Sequence, residues 1–76
     1  MSKLPRGISG QQAVRALTRL GFVLVRQTGS HVNLRKPLPQ GDIPVTVPLH
    51  PFLKVGTLRA ILRQSRVDLG DFLKAL

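Results

Sequence analysis

The sequence predicts an α+β fold in the order α-β-β-β-α, with a short helical extension at the C-terminus. A capped amphipathic segment opens the chain, three short β-prone runs follow, and two further amphipathic segments close it. These elements are most simply arranged as a three-stranded antiparallel sheet with the helices on one face. Residues 1–76 are expected to form one domain, because 76 residues leave no room for a second core.

The first helix is predicted to begin after Ser9. Ser9 suits the N-cap, and Gln12, three residues later, completes a capping box. Gly21 suits the left-handed position that ends a helix. The apolar stripe between them consists of Ala13, Leu17 and Leu20. This spacing predicts one buried helix face.

The first strand is predicted over Phe22–Gln27, a short run rich in strand-forming residues. Its first four residues are all apolar, so the alternation does not show which of them face the core. The strand is therefore expected to be either covered on both sides or bulged.

The second strand has a clear polar face. Thr28-Gly29 predicts a turn, in which Gly29 can adopt a positive φ. From the turn onward, Ser30, Val32 and Leu34 are expected on one side, and His31, Asn33 and Arg35 on the other. His31 thus begins the polar face of a half-buried strand.

The C-terminal half predicts a short strand and two helices. Pro44 and Pro48 restrict the third strand to Val45–Val47, at a sheet edge or in a very short pairing. A second helix is expected near Gly56-Thr57, with Thr57 as its cap. Its buried stripe is Leu58, Ile61 and Leu62, and its outward residues are Arg59, Arg63 and Arg66. Asp68 is expected to cap the last helix.

Composition restricts the function. Twelve Lys and Arg residues stand against three acidic residues, a net charge of +9. Such an imbalance attracts polyanions, so nucleic acid, an anionic membrane surface and an acidic protein are the candidate partners. Apolar runs are too short to span a membrane and no signal sequence is seen, so a cytoplasmic location is expected. The chain has no Cys, which excludes disulfides and thiol chemistry.

Four segments, in order, resemble those of one known family. They are Leu20-Gly21-Phe22 leading to Gly29-Ser30-His31, then Val47-Pro48-Leu49-His50, then Lys54–Leu62, and finally Asp68–Leu73. With them the chain, from about Leu4 to Leu76, resembles the HicA toxin family. The resemblance implies a fold like that of double-stranded-RNA-binding domains, a ribonuclease that acts on mRNA, and a HicB-type antitoxin that holds it inactive. It also implies that His31 is the catalytic residue.

Without the resemblance, the residues give weaker support for a catalytic role of His31. A lone histidine is more often structural, but this one lies on a polar strand face beside a turn. Histidine side chains ordinarily have a pKa of about 6.5, so the neutral base is plentiful at cellular pH. It could take the proton of an RNA 2′-OH that attacks the adjacent phosphate. DNA lacks this hydroxyl, so the reaction would be specific for RNA.

A second proton-transfer group is harder to find, because the chain has no Glu and its Asp residues lie in a connector and around a helix cap. His50 is a secondary candidate, although a loop histidine more often hydrogen-bonds the backbone. Ser30 is another and could contact phosphate, although a turn serine usually bonds its own backbone.

The predicted RNA contacts surround His31 in the sequence. They are Gly29, Arg26, Arg35 and Lys36, with Lys54 extending the track. All three Phe residues are expected to be buried, so base stacking is not expected, and recognition of the RNA backbone and shape is favoured.

No metal site or cofactor is expected, since two distant His residues without Cys or Glu make no credible ligand set. Two alternatives to the ribonuclease stay open. One is a non-catalytic RNA-binding module that uses the same basic surface. The other is a protein-interaction domain whose positive face docks an acidic partner.

Overall fold

The computed structural model describes residues 4–76, so the first three residues of the predicted domain lie outside it. This part of the chain forms α1 (Gly10–Arg19), β1 (Val23–Thr28), β2 (His31–Lys36), β3 (Ile43–Pro48), α2 (Val55–Ser65) and α3 (Leu69–Ala75). The α+β class and the predicted order are confirmed. None of these helices is long and apolar enough to cross a membrane.

The strands form one open antiparallel sheet in the order β1-β2-β3. The two-residue turn Gly29-Ser30 joins β1 to β2, and it closes on Thr28 opposite His31. On its other side, His31 lies opposite Pro48 of β3. One end of the sheet is therefore a row of Thr28, His31 and Pro48.

The helices cover one face of the sheet, as predicted. Both α1 and α2 pack on β3, and α3 packs on α1. The core between the layers contains Val32, Leu34, Ile43, Val45 and Val47 from the sheet, Ala13, Ala16, Leu17, Leu58, Ile61 and Leu62 from the helices, and Phe22 and Phe72. The alternate residues of β2 and β3 lie on the other face, which is largely open to solvent.

The start of α1 is tied to the end of β3. The predicted capping box is present: the Gln12 N–H donates to Ser9 Oγ at 3.1 Å, and the Ser9 N–H donates to Gln12 Oε1 at 2.8 Å. The Gly10 N–H donates to the carbonyl of His50 at 2.9 Å. The cap therefore leaves one N-terminal donor of the helix for a tertiary contact.

β1 is bulged and lies one residue later than predicted. Its register shifts between Leu24 and Arg26, so Val25 is the extra residue. The bulged alternative is confirmed. The other alternative, a strand covered on both of its faces, is wrong, since Val23, Leu24 and Val25 stay exposed. The reason is that α1 and α2 lie over β3 instead of β1.

β3 is longer than the predicted Val45–Val47, because both flanking prolines lie inside the strand. The Leu49 N–H donates across to the Ser30 carbonyl at 2.6 Å. Amides alternate in direction along a strand, so those of Val47, Val45 and Ile43 also face β2. Pro44 and Pro48 occupy the other positions, where an N–H would point away from the sheet. Their missing donors therefore cost β3 no ladder bond, and the predicted edge position is confirmed.

Two smaller expectations are corrected at α2. Thr57 does not cap the helix: the chain is already helical at Val55, and the Lys54 carbonyl accepts from the Leu58 N–H at 2.9 Å. Phe52, expected to be buried, is 72% exposed. In this loop Leu53 enters the core in its place. Asp68, in contrast, caps α3 as predicted.

Candidate nucleic-acid interface

The face of the sheet opposite the helices carries three residues of the predicted site, His31, Arg26 and Arg35. Residues directly opposite each other in an antiparallel sheet project from the same side, with Cβ atoms about 4.5–5.5 Å apart. The register gives three rows: Thr28, His31 and Pro48; Arg26, Asn33 and Thr46; and Val23, Arg35 and Pro44. These nine residues are called the open face below.

His31 lies at the end of the open face, beside the hairpin turn. Gly29 has a φ of 58°, which side chains other than glycine rarely adopt, and a Cβ there would meet no atom within 4 Å. Gly29 is thus needed for the turn and leaves its surroundings open. Ser30 lies in the turn and is exposed. Its carbonyl accepts from the Leu49 N–H, so the alternation keeps it on the same side as Val32, as expected. His31 itself is exposed.

His50 lies at the same end of the sheet as His31. The Leu49 contact with Ser30 continues the pairing one residue beyond β3, and Leu49 lines a groove on the helix side. His50 follows Leu49 outside β3, and its carbonyl accepts from the Gly10 N–H. Two exposed histidines that are distant in the sequence thus lie at the same end of the sheet.

Arg26 is the predicted basic residue in the row next to His31. Its Nη2 donates to Thr28 Oγ1 at 3.4 Å, and Thr28 lies directly opposite His31. This contact directs the guanidinium group toward the end of the sheet where the histidines lie.

The middle row contains a polar pair that the sequence reasoning missed. Thr46 Oγ1 donates to Asn33 Oδ1 at 2.8 Å, and Asn33 lies opposite Arg26. Hydroxyl, amide and guanidinium groups of this kind are common partners of nucleic-acid phosphates and sugars. The alternation in β2 placed Asn33 on this face, but only the pairing register brings Thr46 beside it.

Arg35 shares the open face but not the histidine end. It lies four residues along β2 from His31, roughly 13 Å at the usual rise of a strand. Its Nη1 forms an ion pair with Asp42 Oδ2 at 3.0 Å. Both side chains are largely solvated, so the pair contributes little stability, but it places a negative charge beside Arg35.

Neither predicted lysine belongs to the open face. Lys36 follows Arg35 and so projects from the helix side of the sheet, where its aliphatic chain lies beside Gly21. Lys36 was predicted to contact RNA because it is near His31 in the sequence, and that prediction left out the alternation of side chains along β2. Lys54 is exposed at the start of α2, beyond the loop that follows His50.

A family model described as the HicA toxin of bacterial toxin–antitoxin matches residues 10–67 of the 76-residue chain. The chain belongs to the HicA toxin family. The matched segment starts at the first residue of α1 and ends just beyond α2, so it includes the whole sheet and both histidines. No curated protein sequence matches the chain. Family membership makes this HicA protein the toxin of a toxin–antitoxin pair.

Proposed function

We propose that this HicA toxin is an endoribonuclease that cleaves mRNA in the cytoplasm without a metal ion. His31 is its acid–base residue. The observation that carries the proposal is the end of the open face, where an exposed histidine lies one row from Arg26 and at the same end of the sheet as His50.

The reaction uses the 2′-OH of the RNA as its own nucleophile. Neutral His31 accepts the proton of this hydroxyl while its oxygen forms a bond to the adjacent phosphorus. The bond from phosphorus to the 5′ oxygen of the next nucleotide breaks, and that oxygen takes up a proton. The products are a 2′,3′-cyclic phosphate and a 5′-OH. Arg26 stabilises the negative charge that develops on the phosphate.

His50 is the group that we assign to the second proton transfer. As an imidazolium it would donate to the leaving 5′ oxygen while His31 acts as the base. The proposal puts one RNA phosphate between the two imidazole rings, since both histidines lie at the same end of the sheet. This placement also explains how a chain without Glu can supply both an acid and a base.

The residues of the chain do not favour a metal-assisted route. Cys and Glu are absent from the sequence. Within residues 4–76, no three His or Asp side chains gather into a group that could hold a metal ion. Proton transfer by imidazole is the chemistry that these side chains support best.

The test is cleavage of RNA by the purified protein in the presence of EDTA. His31→Ala is expected to lower the rate at least 100-fold, the usual effect of removing a general base. His50→Ala is expected to lower it by a similar factor, and a substrate with a single 2′-deoxy position is expected to resist cleavage there. Gln64→Ala, an exposed polar substitution on α2, serves as the control and should cleave like wild type.

Each result has a clear meaning. Equal cleavage by wild type and His31→Ala would exclude His31 from the chemistry. A normal rate in His50→Ala would exclude only the second assignment. Melting curves of all variants show whether any loss reflects unfolding, which is not expected because both histidines are exposed.

A second candidate function is RNA binding without cleavage. The row of Arg26, Asn33 and Thr46 favours it, because these groups can hold a phosphate backbone without any base catalyst. In that case Arg26→Ala weakens RNA binding and toxicity, while His31→Ala changes neither. Growth arrest on expression, compared between these two variants, distinguishes the two functions.

The partner of the toxin is proposed to be an antitoxin of the HicB type. The net charge of +9 favours a partner with an acidic contact surface, since complementary charge accelerates and orients association. Binding of such a protein would compete with RNA wherever their surfaces overlap.

A further inference from the structure

The free edge of β1 carries an apolar surface that the ribonuclease proposal does not use. We propose that an acidic segment of the partner antitoxin adds to this edge as an extended strand. This inference rests on the toxin–antitoxin pairing proposed above, and it adds the location and the mode of binding.

Three consecutive apolar residues of β1 are open to solvent. Val23 is 43% exposed, Leu24 57% and Val25 52%. They project from more than one side of the strand, since the open face includes Val23 and the helix side includes Leu24. Contiguous apolar surface of this kind on a small protein commonly marks an interaction site.

The two edges of the sheet differ in their protection. At the β3 edge, Pro44 and Pro48 remove outward donors, and the start of α1 contacts the backbone at Pro48. β1 has no proline. In β1, Leu24 lies opposite Leu34 and Gln27 lies opposite Val32. The backbone N–H and C=O groups of Leu34 and Val32 bond to β3, so they do not bond to β1. The amides of Leu24 and Gln27 therefore point outward, available to another strand.

A groove beside this edge can accept side chains of the added strand. Its volume is about 390 Å³ and it is lined by Gln11, Val14, Arg15, Leu24, Gln27, Val32 and Leu49. Arg15 stands on the helix side of the edge and Arg26 on the open face. An added strand that directs apolar side chains toward Leu24 and acidic ones toward these arginines would fit both features. Backbone bonds with alternating pockets are the usual basis of strand addition.

Charge favours an acidic partner over a second copy of the same chain. Pairing of two β1 edges would bring together two proteins that each carry +9, including the Arg15 and Arg26 side chains of both. Like charges across a strand pair are destabilising. The bulge at Val25 also changes the spacing between the outward amides of Leu24 and Gln27 from that of a regular strand. Such a bulge disfavours pairing with an arbitrary strand.

The test measures binding of the purified cognate antitoxin by calorimetry. Leu24→Lys, which removes an apolar contact at the edge, is expected to weaken binding at least tenfold. Phe52→Lys is the matched control: it places the same charge on an exposed apolar position in the loop before α2, and it should bind like wild type. Arg15→Glu should also weaken binding, since it reverses a charge in the groove.

Amide hydrogen exchange on the wild-type protein provides a second measurement. The amides of Leu24 and Gln27 are expected to slow at least tenfold when the antitoxin binds. Those of Arg26 and Thr28, which face β2, already have partners and should change little. This pattern separates strand addition from contact through side chains alone.

Several outcomes would overturn the proposal. These are unchanged affinity of Leu24→Lys for the antitoxin, unaltered exchange at Leu24 and Gln27, or a dimer of the free toxin that Leu24→Lys dissociates. Leu24 lies off the open face, so Leu24→Lys is expected to retain RNA cleavage. Failure of strand addition therefore leaves the nuclease proposal intact. A toxin without nuclease activity could still show protection at this edge.

Discussion

Replacement of Gly10 by alanine tests how α1 is held against the sheet. An alanine Cβ would overlap the carbonyl oxygen of Pro48 and lie 2.7 Å from the Cα of Leu49. Both obstructing groups belong to the backbone, so no side-chain rotation relieves the overlap. Either α1 or the segment after β3 must move, and the 2.9 Å bond from the Gly10 N–H to the His50 carbonyl is weakened.

The opposing contributions can be compared. Overpacking costs about 1–3 kcal/mol and a lost buried hydrogen bond about 0.5–1.5 kcal/mol. The better helix propensity of alanine returns at most about 1 kcal/mol. The net expectation for Gly10→Ala is a loss of about 2 kcal/mol in the free energy of unfolding. For a domain of this size that corresponds to a fall in Tm of roughly 8–16 °C.

The assay is urea denaturation followed by far-ultraviolet circular dichroism, with thermal melts alongside. Gly56→Ala is the matched control, because Gly56 lies in the first turn of α2 and its added Cβ would meet nothing within 4 Å. It is expected to leave stability unchanged or raise it by up to about 1 kcal/mol. If Gly10→Ala were as stable as Gly56→Ala, the close approach of α1 to β3 would be refuted.

Two further predictions concern single polar contacts. Ser9→Ala removes the side-chain acceptor of the capping box and is expected to lower the free energy of unfolding by about 1 kcal/mol, measured by the same denaturation; an unchanged value would contradict the role of the cap. Asp42→Asn breaks the exposed pair with Arg35, so stability is expected to change by less than about 1 kcal/mol. RNA binding should tighten and its dependence on salt steepen by roughly one phosphate contact, measured by fluorescence titration at several salt concentrations. Weaker binding of RNA by Asp42→Asn would show that Arg35 needs its partner.

Elements with local signals were predictable in detail. The capping box at Ser9 and Gln12 depends on residues three apart, and Asp68 caps α3 through the amide of Gly70. The alternation of β2 also predicted which side chains are buried, because Val32 and Leu34 face the core and His31 does not. In each case the deciding interactions lie within a few residues of one another.

Other elements depended on what packs against them. The apolar start of β1 was compatible with burial on both sides, and its exposure follows from the placement of the helices over β3. Pro44 and Pro48 could enter β3 because the outer side of that strand needs no donors. Phe52 and Leu53 are adjacent apolar residues in a loop, where no periodicity indicates which one is buried.

The candidate site divides in the same way. The sequence alone determined that the chain is basic, that His31 begins a polar strand face, and that Gly29 permits the turn beside it. Only the tertiary structure decided that Arg26 lies one row from His31, that His50 lies at the same end of the sheet, and that Lys36 projects from the other side. The physical reason is that alternation along one strand is a local property, whereas the neighbours of a side chain across a sheet depend on pairing register, and register is set by the turn, the bulge and the packed core together.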